Sequence, residues 1–198
     1  MTTGVITRTG RLTVRNWIEG DRDLFHEINS DPEVMRYFPF RRSRAQSDEL
    51  FDRLRAMIGD TGFGFFAIAL RGCGRPIGFC GLARTDLAPF LPDGTVEIGW
   101  RLARSHWGHG YVTEAASALL AHGFERCGLE EIVSFAVPDN ARSTSVMTRI
   151  GMRRDPGRDF DHPRVPDSHP HLIRHALYAI TRSEWQTRRP ASMVSQAH

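Results

Sequence analysis

The residues from Arg104 to Ala115 read RSHWGHGYVTEA and put Gly108 and Gly110 where an amphipathic helix should begin. Glycine costs a helix interior about 1 kcal/mol, so a pair at the mouth points to unusual dihedrals or to close approach of another molecule. Free N–H groups and the positive end of a helix dipole converge at such a place, which suits a phosphate or another anion. Simple capping is the other reading of the same glycines. The stretch lacks the lysine and length of a Walker loop and does not open a βαβ unit, so a pyrophosphate other than that of NAD or ATP fits better. Just upstream, Glu97 stands between Val96 and Ile98. Partial burial there would raise its pKa and make it a general base near neutral pH; a structural hydrogen bond or ion pair is the alternative. His162, His169, His171 and His175 are dense enough to raise the question of a metal, but no cysteine or paired carboxylate completes a site, and no metal is expected.

These residues need elements to position them. Val112, Ala115, Ala116, Leu119, Leu120 and Gly123 form the apolar stripe of a helix over 110–126, closed by Gly128. RLTVRNW (11–17) alternates as a strand, and Leu24, Phe25 and Ile28 give the next segment a helical face that ends at Ser30-Asp31-Pro32. Ser43 caps a second helix with Leu50, Phe51, Leu54, Met57 and Ile58 on one side. Strands are expected at 63–70, 75–83 and 95–103, joined by an RGCG turn and a longer Pro/Gly loop, then at 131–137 and 171–181. Asn140 caps a short helix with Val146, Met147 and Ile150 inward, and one more strand near 152–155 would fit. The expected order is βααβββαβαβ: an α/β (α+β) fold with a mixed, mostly antiparallel sheet of six to seven strands and helices on both faces. Residues 11–185 read as one domain, 1–10 as a flexible start and 186–198 as a disordered tail.

With 198 residues, 40% hydrophobic and 25% charged, the composition is that of an ordinary globular chain. The net charge is only +3 and the arginines are scattered, so nucleic acid is not an expected partner. No run approaches a membrane span and the N-terminal stretch lacks a signal-peptide core, so a cytoplasmic protein without membrane contact is expected. Cys73, Cys80 and Cys127 have no CxxC or metal-ligand spacing and are read as reduced.

Three stretches, RLTVRNWIEGDRDLFHEINSDPEVMRYFP, VEIGWRLARSHWGHGYVTEA and NARSTSVMTRIGM, resemble the GNAT superfamily of acetyl-CoA-dependent N-acetyltransferases. The resemblance is strongest to its RimJ/RimL-like branch, which acetylates ribosomal-protein N-termini, and it runs from residue 11 to about 185. It implies a CoA pyrophosphate held on backbone amides of Ser105, Trp107, Gly108, His109, Gly110 and Tyr111. It also implies a pantetheine arm beside Arg101, Leu102 and Ala103, with Asn140 and Ser143 near the thiol. Ser105 replaces the Gln or Arg that the pattern prefers, which weakens a side-chain contact but not the amide cradle. Arg149 is either a partner of the 3′-phosphate or a solvated surface arginine.

By the same resemblance Glu97 corresponds to a strand glutamate that serves several GNAT enzymes as base, often through water. The family's usual acid, a tyrosine in the last helix, is Met147 here. Methionine cannot donate a proton, so Ser143 or water protonates the thiolate, or it leaves unassisted. The segment INSDPEVMRYF matches the acceptor wall, making Asn29, Asp31, Met35, Arg36 and Tyr37 candidates, with His175 lining the same pocket. Glu114 reads as a structural carboxylate stabilised by the helix dipole. The implied activity is acetyl transfer from acetyl-CoA to a primary amine, including a protein N-terminal α-amine. A polyamine or aminoglycoside acceptor stays open. So does a non-catalytic acyl-CoA-binding or regulatory domain, which Met147 and Ser105 favour. GNAT enzymes are often homodimers, and a homodimer is implied on that ground.

Overall fold

A computed structural model describes residues 4–188. Nine strands form the sheet system: β1 (Val5–Arg8), β2 (Leu12–Arg15), β3 (Gly64–Leu70), β4 (Pro76–Arg84), β5 (Val96–Leu102), β6 (Glu131–Ala136), β7 (Arg153–Arg154), β8 (Phe160–Asp161) and β9 (Arg174–Thr181). The helices are α1 (Arg22–Ser30), α2 (Arg44–Thr61), α3 (Tyr111–Glu125), α4 (Ala141–Arg149) and α5 (Arg182–Arg188). The strand order is β1-β2-β3-β4-β5-β6-β9-β7, with β8 on β9. Every pairing is antiparallel except β5 with β6. The mixed, mostly antiparallel sheet is therefore as expected, with more strands than six or seven. The strand expected near 152–155 is β7, and the extra ones are β1 and β8, the latter only two residues long and too short to show a period in sequence.

The start of the chain departs from the expectation of flexibility, because Val5 and Thr7 pair with Arg15 and Val14. Thr9 and Arg11 in the β1–β2 turn hydrogen-bond the carboxylate of Glu114, and the Arg11 guanidinium also meets it as an ion pair at 2.6 Å. Glu114 thus ties the N-terminal hairpin to the first turn of α3. At the other end, α5 continues past Trp185, so 186–188 are helical; the rest of the expected tail lies outside the described residues. The last long strand starts at Arg174 and not at 171, because Pro170 opens a short 3₁₀ turn over Pro170–Leu172.

Helices cover both faces. Trp17, Phe25 and Phe51 pack edge-on or tilted at 4.9 to 5.7 Å, and Trp17 reaches Phe79 of β4 at 6.5 Å, which fixes α1 and α2 over the odd-numbered face of that strand. Such ring pairs add about 0.5–1.5 kcal/mol each beyond area burial. Ser43 and Gln46 form a reciprocal capping box at the start of α2, and Gly62 ends it in a left-handed conformation. A buried pair, Arg15 with Asp21 at 2.6 Å, anchors the entry into α1. On the opposite face, Gly123 of α3 sits directly over Leu82 and Ile132, and the Trp185 ring of α5 packs tilted against Phe124 at 5.2 Å. Among the described residues, no helix is long and apolar enough to cross a membrane.

Candidate active site

The one parallel pairing produces a cleft. β5 meets β6 in register at Glu97 and Val133, and the buried Ser134 hydroxyl donates to the Ile98 carbonyl at 2.8 Å. Beyond that point β5 stays with β4 as far as Leu102, while β6 stays with β9 as far as Ala136. The strands part, and backbone groups of Trp100 to Leu102 on that side lose a sheet partner. A cavity of about 1470 Å³ occupies the gap and reaches from the start of α3 to the α1–α2 face.

At the α3 end the cavity wall is backbone. Gly108 and Gly110 take φ of +80° and +74°, the left-handed region that side chains rarely adopt, and Gly110 is the N-cap of α3 with no side chain filling the cap. The first N–H groups of the helix, from Tyr111 to Thr113, are therefore left without an intrahelical acceptor and line the cavity. A Cβ on Gly108 would meet no protein atom within 4 Å, so the loop is open on the side where an anion would sit. The loop is held rigidly: the Trp107 indole donates to the Leu102 carbonyl at 2.9 Å, Arg11 donates to the His109 carbonyl at 3.0 Å, and Arg142 from α4 stacks on Trp107 at 4.1 Å. An uncapped helix start, two left-handed glycines and an opened strand edge fit an elongated molecule with a pyrophosphate at one end and an amide-bearing arm.

At the α1–α2 end the wall is side chains. Glu97, Gly99 and Arg101 alternate onto this face of β5, opposite Ala83, Gly81 and Phe79 of β4. The Phe65 ring lies against Gly99, where a Cβ would come within 2.9 Å of it, and so floors the pocket between Glu97 and Arg101. Glu97 accepts no hydrogen bond from any described residue. Burial pushes its pKa up to about 7, with Asp86 adding to the rise and Arg164 opposing it; those two side chains pair with each other. Arg101 donates to Asn29 Oδ1 at 2.7 Å and lies between the rings of Phe38 and Phe79, 4.3 and 5.3 Å from their centroids. Its Nε is buried without a partner. Burial, and secondarily Arg42, push it down to about 9, so it stays cationic at neutral pH. The Tyr37 hydroxyl crosses the opening to the Asp139 carbonyl at 3.0 Å.

Residues 11–153 match the family described as "Acetyltransferase (GNAT) domain". This chain belongs to the GNAT acetyltransferases. They are enzymes that take their acetyl group from acetyl-CoA. The chain is 29% identical over 177 residues to the "Uncharacterized N-acetyltransferase YnaD" of Bacillus subtilis (strain 168), covering 89% of this chain and 97% of that one. It is 30% identical over 90 residues to the "Putative ribosomal N-acetyltransferase YdaF" of the same organism, covering 46% of this chain and 47% of that one. The crystal structure of a GNAT-family acetyltransferase from Bacillus anthracis superposes with a TM-score of 0.73 at 27% identity, covering 89% and 98% of the two chains.

Within this GNAT fold most of the cofactor-side candidates meet at the cavity. Arg101, Leu102, Trp107, Gly108, Gly110, Tyr111, Asn140, Ser143 and Arg149 line it. Ala103, Ser105 and His109 do not. Ala103 is buried with its N–H on the Ile77 carbonyl, Ser105 is exposed in a 3₁₀ turn, and His109 turns back to the Trp107 carbonyl and stacks on Tyr111. Asn140 caps α4 through the Ser143 N–H at 3.3 Å, and the Ser143 hydroxyl, at the cavity, has no hydrogen-bond partner among the described residues. Met147 is 1% exposed, packed into the core beneath that helix.

On the acceptor side Asn29, Tyr37 and His175 line the cavity, while Asp31, Met35 and Arg36 do not. Asp31 accepts from the N–H groups of Glu33 and Val34 and shapes the turn after α1. Met35 is a core residue and Arg36 faces solvent. A segment of this kind cannot be sorted from composition alone, because a turn carries no period to say which side chains face inward. The rings of His175 and His162 lie 4.9 Å apart and tilted, and burial together with the neighbouring ring pushes His162 down to about 4, so it is neutral. Among the described residues, no group of three or more histidine, cysteine or acidic side chains could hold a metal ion. Two features escaped the sequence reading. Arg101 was expected through its backbone, whereas its side chain faces the acceptor; its i, i+4 parity with Glu97 was the available signal. Arg42 and Arg53, which also line the cavity, carried no signal.

Proposed function

We propose that the chain is a RimJ/RimL-like N-acetyltransferase acting on a peptide N-terminal α-amine, with Glu97 as the base. The single observation that carries this reading is the Glu97 carboxylate at the cavity wall, without a hydrogen-bond partner among the described residues and poised to exchange a proton near pH 7. The partial likeness to YdaF supports a protein acceptor.

Gly108, Gly110 and the amides from Tyr111 to Thr113 hold the pyrophosphate, Arg149 meets the 3′-phosphate, and the free edge of β5 from Arg101 to Leu102 orients the pantetheine arm. When bound, acetyl-CoA supplies an acetyl group activated as a thioester. Glu97 takes a proton from the acceptor ammonium, directly or through one water, so that a neutral nitrogen faces the cleft. The Ser143 hydroxyl, or water held near Asn140, supplies a proton on the thiol side. Phe65, Phe79 and Phe38 make the pocket between Glu97 and Arg101 apolar.

Release of free CoA thiol with a panel of peptides and small amines tests the proposal. Acetylation of at least one peptide, strongly reduced in Glu97→Gln, is the expected result. Acetyl-CoA binding without turnover on any amine would replace it with the non-catalytic reading, and turnover on polyamines or aminoglycosides alone would move the acceptor class.

A further inference from the structure

We propose that the acceptor is an acidic one: the amine that receives the acetyl group carries a carboxylate within its first few residues, and Arg101, with Arg42 and Arg53, receives that carboxylate. The inference rests on the reading of this pocket as the acceptor site.

Three arginines line the α1–α2 end of the cavity, and among the described residues none of the three forms an ion pair. By contrast Arg22, Arg44 and Arg55, on the same two helices, are all paired with carboxylates. Among the described residues, only Nη1 of Arg101 has a hydrogen-bond partner, the neutral Asn29 amide; its Nε is buried and unsatisfied. A buried guanidinium with unused donors and no counter-charge is a costly arrangement that a carboxylate would relieve. Arg42 lies over the Phe40 ring at 4.8 Å, and burial and then Arg53 lower its pKa, so the cations repel one another across the pocket. The acids at this end are Glu97, four residues from Arg101 along β5, Asp86, which is paired with Arg164, Glu33, exposed on the cavity rim, and Glu49, which acts on Arg42 from α2 without reaching ion-pair distance.

The geometry also sets where the charge falls on the acceptor. Glu97 and Arg101 are four residues apart on one face of β5, about 13 Å at 3.3 Å per residue. The reacting amine at Glu97 and a carboxylate at Arg101 are thus separated by the length of a short peptide. The same field disfavours a polycation, whose second charge would face three guanidiniums.

The test uses the full chain saturated with CoA and peptides identical except for Asp, Asn or Lys at the second and third positions. Their dissociation constants are measured by calorimetry and, with acetyl-CoA, their kcat/KM by thiol release. The Asp peptide is expected to bind about tenfold or more tightly than the Asn peptide, and the Lys peptide weakest. In Arg101→Gln the Asp-to-Asn ratio should fall to within about threefold of one, whatever the absolute affinity, and Arg101→Lys should restore part of it. Equal binding of Asp and Asn peptides, tighter binding of the Lys peptide or of spermidine, or an unchanged ratio in Arg101→Gln would overturn the proposal. Because the ratio is read from binding, an Asp preference without turnover would reject the catalytic reading and keep the carboxylate subsite at the three arginines; turnover without an Asp preference would do the reverse.

Discussion

At the α3 end of the cavity the ligand-facing groups are backbone amides set by two left-handed glycines, whereas at the α1–α2 end they are side chains from a strand, two helices and the loop between them. The first kind of site is tolerant of neighbouring side chains, because an amide donates whatever residue carries it. Ser105 shows this: it departs from the family pattern and points to solvent without touching the cavity. The second kind depends on each side chain's register, as with Glu97, Gly99 and Arg101 on one face of β5. Substitutions at the two ends should therefore fail differently.

The largest effect is expected at Gly108. With φ at +80°, any other residue costs about 1–2 kcal/mol of folding stability, yet its side chain has open space in the protein. The steric conflict falls on the bound anion. Gly108→Val should weaken acetyl-CoA binding by about a hundredfold or more while the thermal melt stays cooperative, which calorimetry and circular dichroism would check. Undiminished affinity in this variant would break the idea that the two ends are built differently.

At the other end Glu97→Gln should lower kcat by about a hundredfold with acetyl-CoA affinity nearly intact. The sign of the pH dependence follows from the raised pKa. Below pH 7 the wild-type carboxyl is protonated and cannot take a proton, so kcat/KM should climb through about pH 7, and the variant should lose that limb. The same shift acts on stability. A folded-state pKa above the unfolded one contributes stability below about pH 4.5 that is lost as pH rises through 7. Glu97→Gln should thus match the wild type near pH 4 and exceed it at pH 8, by up to about 3 kcal/mol in urea titrations. A flat difference across pH would return Glu97 to a structural role.

How much of this was readable beforehand follows the same division. The glycine pair, the helix stripe after it and the Asn140 cap are local signals, because a backbone conformation is fixed by the few residues that adopt it. The packing of α1 on β5 that joins Asn29 to Arg101, 72 positions away, is non-local. So is the tie between Arg11 and Glu114, which turned an expected flexible start into a strand. In the segment after α1, Asn29 and Tyr37 face the cavity while Asp31, Met35 and Arg36 turn elsewhere, since the turn is shaped by Asp31 accepting two N–H groups.

Ser143 stands between the two ends, presented by a backbone cap but acting through its side chain. Ser143→Ala keeps the cap, because the Asn140 side chain accepts from the Ser143 N–H and not from its hydroxyl. Turnover should fall roughly tenfold at neutral pH, with the deficit shrinking as pH rises and the thiolate needs no proton. A CoA thiol titrates near a free cysteine, about 8.5, so assistance is helpful and not indispensable. Full activity at every pH would assign the proton to water.

The smallest effect is expected at Tyr37, whose hydroxyl donates to the Asp139 carbonyl at 3.0 Å and joins the loop after α1 to the loop before α4. This bond spans the acceptor end and the cofactor end, so its loss should loosen their relative placement without removing a ligand group from either. An exposed hydrogen bond of this kind contributes about 0.5–1.5 kcal/mol. Tyr37→Phe retains the ring and deletes only the donor. Acetyl-CoA affinity should be unchanged, since the α3 cradle is held independently by Trp107 and Arg11. The acceptor KM should rise by about threefold at constant kcat, and the rise should be larger for the Asp peptide than for the Asn peptide, because Phe38, the ring lying over Arg101, is the next residue along the chain. A drop in kcat with KM unmoved would mean that Tyr37 acts on the reacting groups and not on the wall that holds them.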